Sequence, residues 1–153
     1  MGVEIERVTR GDGLPGAARA LDKLKDVIVG VLSGTGEHVN SDHGQTVAEI
    51  AWWNEFGTKR NPARPFLRPA IRENKLAISR LIKKLYKLVI ENKIEPRRAE
   101  KLLALKVQTL IQKKITTLQS PPNAPMTVER KGSSSPLIDT GQLRQSISWD
   151  TVD

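Results

Sequence analysis

Cysteine is absent from this chain of 153 residues, which excludes disulfide bonds, thiolate catalysis and cysteine-ligated metals. The absence fits a reducing compartment. Histidine is scarce as well, and His38 and His43 both lie in a polar, glycine-rich stretch at 33–44. A hydrolase triad needs a histidine beside a nucleophile on a defined frame, and no Gly-x-Ser-x-Gly elbow occurs. We therefore predict no catalytic residues and a protein that is not an enzyme.

Two short segments contain residue types that can bind a metal or a nucleotide. Glu37-His38 and Asp42-His43 match no standard zinc or calcium ligand spacing, so we interpret both histidines as solvated loop residues. Residues 11–16 are glycine-rich and precede a helical pattern, but they lack the Gly-Lys-Ser/Thr ending of a phosphate-binding loop. We expect a strand-to-helix turn there, and neither a metal nor a cofactor.

Long hydrophobic runs are missing too. No stretch approaches the roughly 18 apolar residues that a membrane-spanning helix requires. The charged start, Met1–Arg7, lacks the apolar segment of a secretory signal. From these absences and the chain length we expect a single soluble domain over 1–153, made in the cytoplasm and without a membrane partner.

The positive charge is concentrated in one part of the chain. Residues 64–119 hold 15 Lys/Arg against 4 Asp/Glu, a net of +11, whereas the remainder nets −3 of the total +8. Such asymmetry is typical of contact with nucleic acid or with an acidic protein surface. Long helices with solvated basic faces give the same composition, so all three interpretations stay open.

Hydrophobic periodicity predicts an α+β fold with a small antiparallel or mixed sheet packed on helices. Imperfect alternation at 3–9, a β-branched run at 27–32 and alternation at 146–152 predict strands. Helical spacing predicts helices over 14–24, 46–56, 66–92 and 96–118, with a short helical turn at 140–144. The Pro- and Ser-rich segment 120–136 is expected to be a long extended loop.

The two longest predicted helices form a hairpin over 66–118, joined by a turn at 92–96. In the first of them the apolar stripe includes Ile71, Ile78, Leu85 and Val89. Five basic residues fall on roughly the opposite face at 3.6 residues per turn. These candidates for a DNA-facing or partner-facing patch are Arg72, Arg80, Lys83, Lys84 and Lys87.

Aromatic residues are rare and clustered. The chain has three Trp, two Phe and one Tyr, and Trp52, Trp53, Phe56 and Phe66 all lie within 52–69. The helix at 46–56 is apolar on nearly every side, which predicts cover on more than one face. Adjacent tryptophans point about 100° apart on a helix, so both cannot easily enter one core layer. A core role for both stays open, but the spacing favours at least one at an interface.

Three ordered segments carry a family resemblance. They are Ala48–Thr58 with its Glu-Phe-Gly-Thr ending, Pro62–Ile71 with Pro-Ala-Arg-Pro-Phe, and Pro136–Ile147 with Leu-Ile-Asp-Thr-Gly-Gln-Leu. Together they resemble the tail-completion and virion-morphogenesis proteins of tailed bacteriophages. The resemblance implies a small α+β subunit that assembles into a ring, commonly six-fold, at the neck of the virion. Such a ring completes the tail and joins it to the head connector.

The resemblance also implies partners and contact residues. The partners expected are further copies of the chain, neighbouring connector and tail-tube proteins, and passing DNA without sequence specificity. The protein would be located in the virion, and in the host cytoplasm before assembly. The alternative is a nucleic-acid-binding protein that uses the basic helical pair. The residues expected at the subunit or partner interface are Trp52, Trp53, Phe56, Gly57, Thr58, Arg64, Pro65 and Phe66.

Overall fold

The computed structural model describes residues 13–32, 44–132, 134–138 and 140–152. Its α-helices are α1 (Gly13–Leu21), α2 (Val47–Phe56), α3 (Leu67–Glu73), α4 (Lys75–Ile90), α5 (Pro96–Thr117), α6 (Pro125–Lys131) and α7 (Gln142–Gln145). Strands β1 (Asp26–Val31) and β2 (Ile147–Val152) pair as a two-stranded antiparallel sheet. The predicted α+β class is confirmed. The strand predicted at 3–9 and the glycine-rich segment at 33–43 lie outside the described residues.

The described residues pack as two compact units, one formed by 13–28, 75–106 and 150–152 and the other by the described parts of 29–74 and 107–149. In the first unit α1 packs on α4. Leu85 and Val89 of α4 are buried with Ala99 of α5, and Leu24 and Leu103 pack around them. This cluster uses one face of α4, as the predicted amphipathic spacing requires.

The second unit contains the larger apolar cluster and the four aromatic residues within 52–69. Its buried residues come from four helices, β2 and the loop segments between them: Val47, Ala51, Phe66, Ala70, Ile111, Ile115, Leu118, Leu137, Leu143 and Ile147. The cluster therefore gathers α2, α3, the second half of α5 and the chain around α7. Helix α5 is also joined to β2 and α3: the side chain of Gln108 donates to the Ile147 carbonyl at 2.6 Å, and Lys114 pairs with Glu73 at 2.7 Å.

The single helix predicted over 66–92 is wrong, because the structure divides it into α3 and α4 at Asn74. The side-chain amide of Asn74 donates to the Ala70 carbonyl at 2.9 Å. That carbonyl is the acceptor that the Asn74 backbone N–H would use in a continuous helix. The backbone N–H instead donates to Ile71 at 3.2 Å. Asparagine is well suited to compete with the helix ladder in this way.

The extended loop predicted at 120–136 is wrong in its middle, where α6 forms. Ala124 is extended at φ −61° and ψ 148°, and Pro125 occupies the first helical turn. Proline is favoured there because its fixed φ suits a helix and its missing N–H is not needed. Gly132, at φ 64°, ends the helix in the left-handed conformation and donates to Val128 at 2.9 Å.

Candidate functional site

Helix α2 presents the aromatic residues, and a capping box fixes where it begins. The Thr46 hydroxyl accepts from the Glu49 backbone N–H at 3.2 Å, and the Glu49 carboxylate accepts from the Thr46 backbone N–H at 2.8 Å. This reciprocal pair satisfies two N–H groups that a helix start would leave open. The hydrogen bonds from the backbone and hydroxyl of Thr46 lower the pKa of Glu49 below its usual value. The start of α2 is thereby fixed at Thr46.

One face of α2 is buried and the other is aromatic and exposed. Val47, Ala51 and Glu55 are buried. Trp52, Trp53 and Phe56 are 62%, 41% and 48% exposed to solvent, respectively. Both indoles therefore lie at the surface of the chain. Three large aromatic side chains on one exposed helix face are unusual unless another surface covers them.

The exposed aromatic residues are ordered into a stack that ends on a cation. The rings of Trp52 and Phe56 have centroids 4.2 Å apart at an angle of 43°. The guanidinium carbon of Arg68 lies 4.7 Å from the centroid of the Phe56 ring. Tilted aromatic pairs and guanidinium groups over ring faces are both attractive arrangements. We call this set, Trp52, Phe56 and Arg68, the aromatic–cation stack.

Arg68 is held in this stack by Glu55, which the sequence analysis did not single out. The Glu55 carboxylate is buried and accepts the Nε–H of Arg68 at 2.9 Å, and the Glu55 carbonyl accepts from Nη2 at 3.0 Å. The same carboxylate accepts three backbone N–H groups at the start of α3: Phe66 at 2.7 Å, Leu67 at 2.9 Å and Arg68 at 3.1 Å. One side chain thus joins the end of α2, the start of α3 and the stack.

The protonation state of Glu55 follows from these contacts. Burial by itself would raise the pKa of the Glu55 carboxyl, since it disfavours the charged form. The hydrogen bonds from the Arg68 side chain and from the Leu67, Phe66 and Arg68 backbone outweigh burial, so the pKa is lowered overall. Glu55 is therefore ionised at neutral pH, where a negative charge also suits the N-terminus of a helix.

Gly57 ends α2 in a conformation that other residues rarely adopt. Its φ is 78°, as the predicted helix end requires, but its ψ of 175° is extended rather than left-handed helical. A Cβ there would lie 2.9 Å from the Ala63 nitrogen. The chain then turns through a hydrogen bond from the Thr58 N–H to the Asn61 carbonyl at 2.9 Å. The Arg64 N–H returns to the Asn54 carbonyl at 2.6 Å, so this loop is tied to α2.

Arg64 makes its contacts within the chain. Its Nε–H donates to the Pro121 carbonyl and its Nη2 to the Pro122 carbonyl, both at 2.9 Å. Arg64 and Pro65 are half-buried. The guanidinium group therefore joins the segment after α5 to the loop after α2. Any contribution of Arg64 to a subunit interface would come from holding this loop in place.

Phe66 is not available as an interface residue, which corrects its predicted place. Its side chain has 0% exposure and lies in the larger apolar cluster with Val47, Ala70 and Ile115. The aromatic residue of the Pro-Phe pair therefore packs inward, and its backbone N–H is bound by Glu55. Of the other expected contact residues, Thr58 is exposed and Gly57 is half-buried.

The segments that carry the family resemblance line one groove of about 710 Å³ in the second unit. Trp53 and Asn54 of α2, Arg64 of the following loop, and Leu137 and Leu143 of the late motif all face it. Helices α2 and α7 also pack together. Residues about 80 positions apart in sequence are thus neighbours in the fold.

The five residues of the predicted basic patch are all exposed, but they do not share a helix. Arg72 belongs to α3, in the second unit, whereas Arg80, Lys83, Lys84 and Lys87 belong to α4, in the first. We call these four the basic face of α4. The single-helix prediction grouped Arg72 with them because it did not include the break at Asn74.

Within the described ranges, no group of three or more His, Asp or Glu side chains is placed to hold a metal ion. His38 and His43 lie outside those ranges. None of the described helices is long and apolar enough to cross a membrane. No family model, curated protein or solved structure matches the chain.

Proposed function

We propose that this protein is a structural subunit that assembles with copies of itself, and that it forms a ring at the neck of a tailed bacteriophage. In that position it would complete the tail and join it to the head connector. The observation that supports assembly most directly is the exposed aromatic–cation stack. The phage assignment rests on the resemblance of the Glu-Phe-Gly-Thr, Pro-Ala-Arg-Pro-Phe and Leu-Ile-Asp-Thr-Gly-Gln-Leu segments.

The physical case for assembly is the combination of exposure and rigidity. Trp52, Trp53 and Phe56 are large side chains with few rotatable bonds, and Trp, Tyr and Arg dominate the energetics of protein interfaces. Here the helix that carries them is fixed at Thr46 by the capping box and at Gly57 by the tied loop. A surface that is ordered before binding loses little side-chain entropy when a partner covers it. These features favour a binding surface.

The test is the mass of the purified chain. We expect light scattering to show concentration-dependent oligomers, with a closed ring of about six protomers of 17.0 kDa if the symmetry matches the resemblance. The Trp52→Ala/Phe56→Ala variant should shift toward the protomer while its circular dichroism stays unchanged. Met126→Ala is the matched control, because Met126 is 82% exposed but lies on α6 and is not part of the stack.

The neck assignment needs a second measurement. Particles produced without this protein should accumulate unjoined heads and tails, or tails of abnormal length, in negative-stain images. A chain that stays a protomer at every concentration, together with heads and tails that join in its absence, contradicts the proposal.

The second candidate, nucleic-acid binding, draws on one feature. Helix α4 contains five Lys/Arg and no Asp/Glu, and its basic face is exposed. Neutralising phosphates by Lys and Arg gives binding that weakens steeply with salt. A salt-dependent gel shift that is lost in a Lys83→Glu/Lys87→Glu variant would favour this function, and no shift at low salt would exclude it.

A further inference from the structure

The exposed surface of α2 is complementary to a cationic partner. Helix α2 contains no Lys or Arg, and Glu49 is its exposed carboxylate, since Glu55 is buried and paired with Arg68. Glu49 lies between Trp52 and Trp53 on the exposed face at 100° per residue. The negative faces of aromatic rings attract cations, and Phe56 already has the guanidinium of Arg68 over its ring. The surface therefore combines apolar area, ring faces that attract cations and an ionised carboxylate.

Helix α4 carries the corresponding groups on its exposed face. Leu76, Arg80, Lys83 and Lys87 recur at i, i+4, i+7 and i+11, so they form one stripe of about 60° along the helix. All four are exposed, Leu76 at 73%. The opposite face is occupied by Leu85 and Val89, which are buried in the first unit. The long methylene stems of Lys and Arg also cover apolar surface while their charges stay solvated.

We propose that the Leu76–Arg80–Lys83–Lys87 stripe of one copy binds the exposed Trp52–Phe56 face of α2 in the next copy. This inference rests on the proposed function and names the second half of the subunit interface. The pairing joins two different surfaces, so it is head-to-tail and generates a ring when the rotation closes. Two α4 stripes cannot pair with each other, because they would bring like charges together.

The first experiment compares charge reversals of equal size and spacing. Lys83→Glu/Lys87→Glu changes the stripe, and Arg97→Glu/Lys101→Glu changes two exposed residues on α5 with the same i, i+4 spacing. We expect the stripe variant to weaken self-association at least tenfold in concentration midpoint and the α5 variant to change it less than threefold. Equal behaviour of the two variants, beside an oligomeric unmodified protein, overturns the stripe as the partner and leaves the ring intact.

The second experiment uses the absence of cysteine. Ala48→Cys places a single thiol on the exposed face of α2, and Lys84→Cys places one beside the stripe; both positions are exposed. Head-to-tail pairing predicts disulfide-linked dimers only when the two variants are mixed, and a ladder of larger products from the double variant. Dimers of Ala48→Cys alone would show a two-fold contact between α2 helices and overturn the inference.

Two outcomes separate this inference from its premise. If the unmodified chain never oligomerises, both the ring and the stripe contact fail. If Lys83→Glu/Lys87→Glu abolishes a DNA gel shift but leaves the oligomer mass unchanged, the stripe binds phosphates instead, and only the stripe contact is overturned.

Discussion

The buried carboxylate of Glu55 accepts a 2.7 Å hydrogen bond from the backbone N–H of Phe66, eleven residues further along the chain. The bond closes the proline-containing loop between α2 and α3. It places a negative charge at the start of α3, where N–H groups would otherwise lack partners. Phe66 itself cannot cap the helix, since it has no side-chain acceptor. A single carboxylate thus joins the end of α2 to the start of α3.

Replacing Glu55 with Gln should destabilise the protein although the side-chain shape is kept. The glutamine amide loses the charge-assisted hydrogen bonds to Arg68 and to the α3 backbone. Its NH₂ group would also face N–H groups, which cannot accept a hydrogen bond. We expect a loss of about 1–3 kcal/mol in the free energy of unfolding, as for hydrogen bonds to a buried charge. Urea denaturation followed by tryptophan fluorescence measures it. Glu129→Gln, an exposed position on α6, is the control and should change little.

The same carboxylate predicts a pH dependence. Because the pKa of Glu55 is lowered from 4.5 in the folded chain, the folded state binds protons more weakly than the unfolded state. Its stabilising contribution is present above about pH 4.5 and is lost as the pH falls through the lower folded pKa. Glu49 contributes in the same direction. The unfolding free energy of the Glu55→Gln variant should fall less steeply below pH 4.5; parallel curves would contradict this account.

Gly57 and Gly132 both have positive φ and make a matched pair for substitution. At Gly132 an added Cβ meets no atom within 4 Å, so Gly132→Ala should cost about 1 kcal/mol of backbone strain. At Gly57 the Cβ would approach the Ala63 nitrogen at 2.9 Å, and the extended ψ lies in a region that only glycine occupies readily. We expect Gly57→Ala to cost about 2–4 kcal/mol. If Gly57→Ala and Gly132→Ala lower the denaturation midpoint equally, the loop at 61–63 must move aside to admit the added Cβ at Gly57.

Replacing the two phenylalanines should affect different properties: Phe66→Ala mainly stability, and Phe56→Ala mainly self-association. Phe66→Ala removes a fully buried ring and should destabilise the chain by about 3–5 kcal/mol. Phe56→Ala removes a half-exposed ring and its contacts with Trp52 and Arg68, which should cost less than about 1.5 kcal/mol. Thermal unfolding and light scattering of both variants test this. Weakened self-association is expected of Phe56→Ala at concentrations where the chain is folded.

Much of the fold followed from local pattern, whereas the site depended on contacts between distant residues. The run at 27–32 and the alternation at 146–152 gave both described strands, and Thr46 and Gly57 marked the ends of α2. Periodicity could not assign Glu55, because its partners follow a loop with two prolines. One signal was present: the helix after Phe66 lacks a Ser, Thr, Asp or Asn cap, so its first N–H groups needed an acceptor from elsewhere.

The errors have a common physical origin. Asn74 was counted as one more polar residue on a long helix, yet its short amide competes for the Ala70 carbonyl and divides that helix. Residues 120–136 were judged by their Pro and Ser content, although Pro125 and Gly132 stand where a short helix favours them. Phe66 was expected at a subunit or partner interface because of the family resemblance, although its ring packs into the larger apolar cluster. Each error put a rule of pattern, composition or resemblance in place of a specific hydrogen bond or packing contact.

Arg64 offers the most direct test of how the loop after α2 is joined to the segment after α5. Its guanidinium donates to the carbonyls of Pro121 and Pro122, both at 2.9 Å. Lysine keeps the charge but cannot present two donors in the same fork. Arg64→Lys should therefore lose about 1–2 kcal/mol of stability and speed protease cleavage near 120–124. Arg60→Lys, at an exposed position in the same loop, should leave both unchanged. Unaltered cleavage in Arg64→Lys would mean that the 121–122 segment is held by packing and not by this fork.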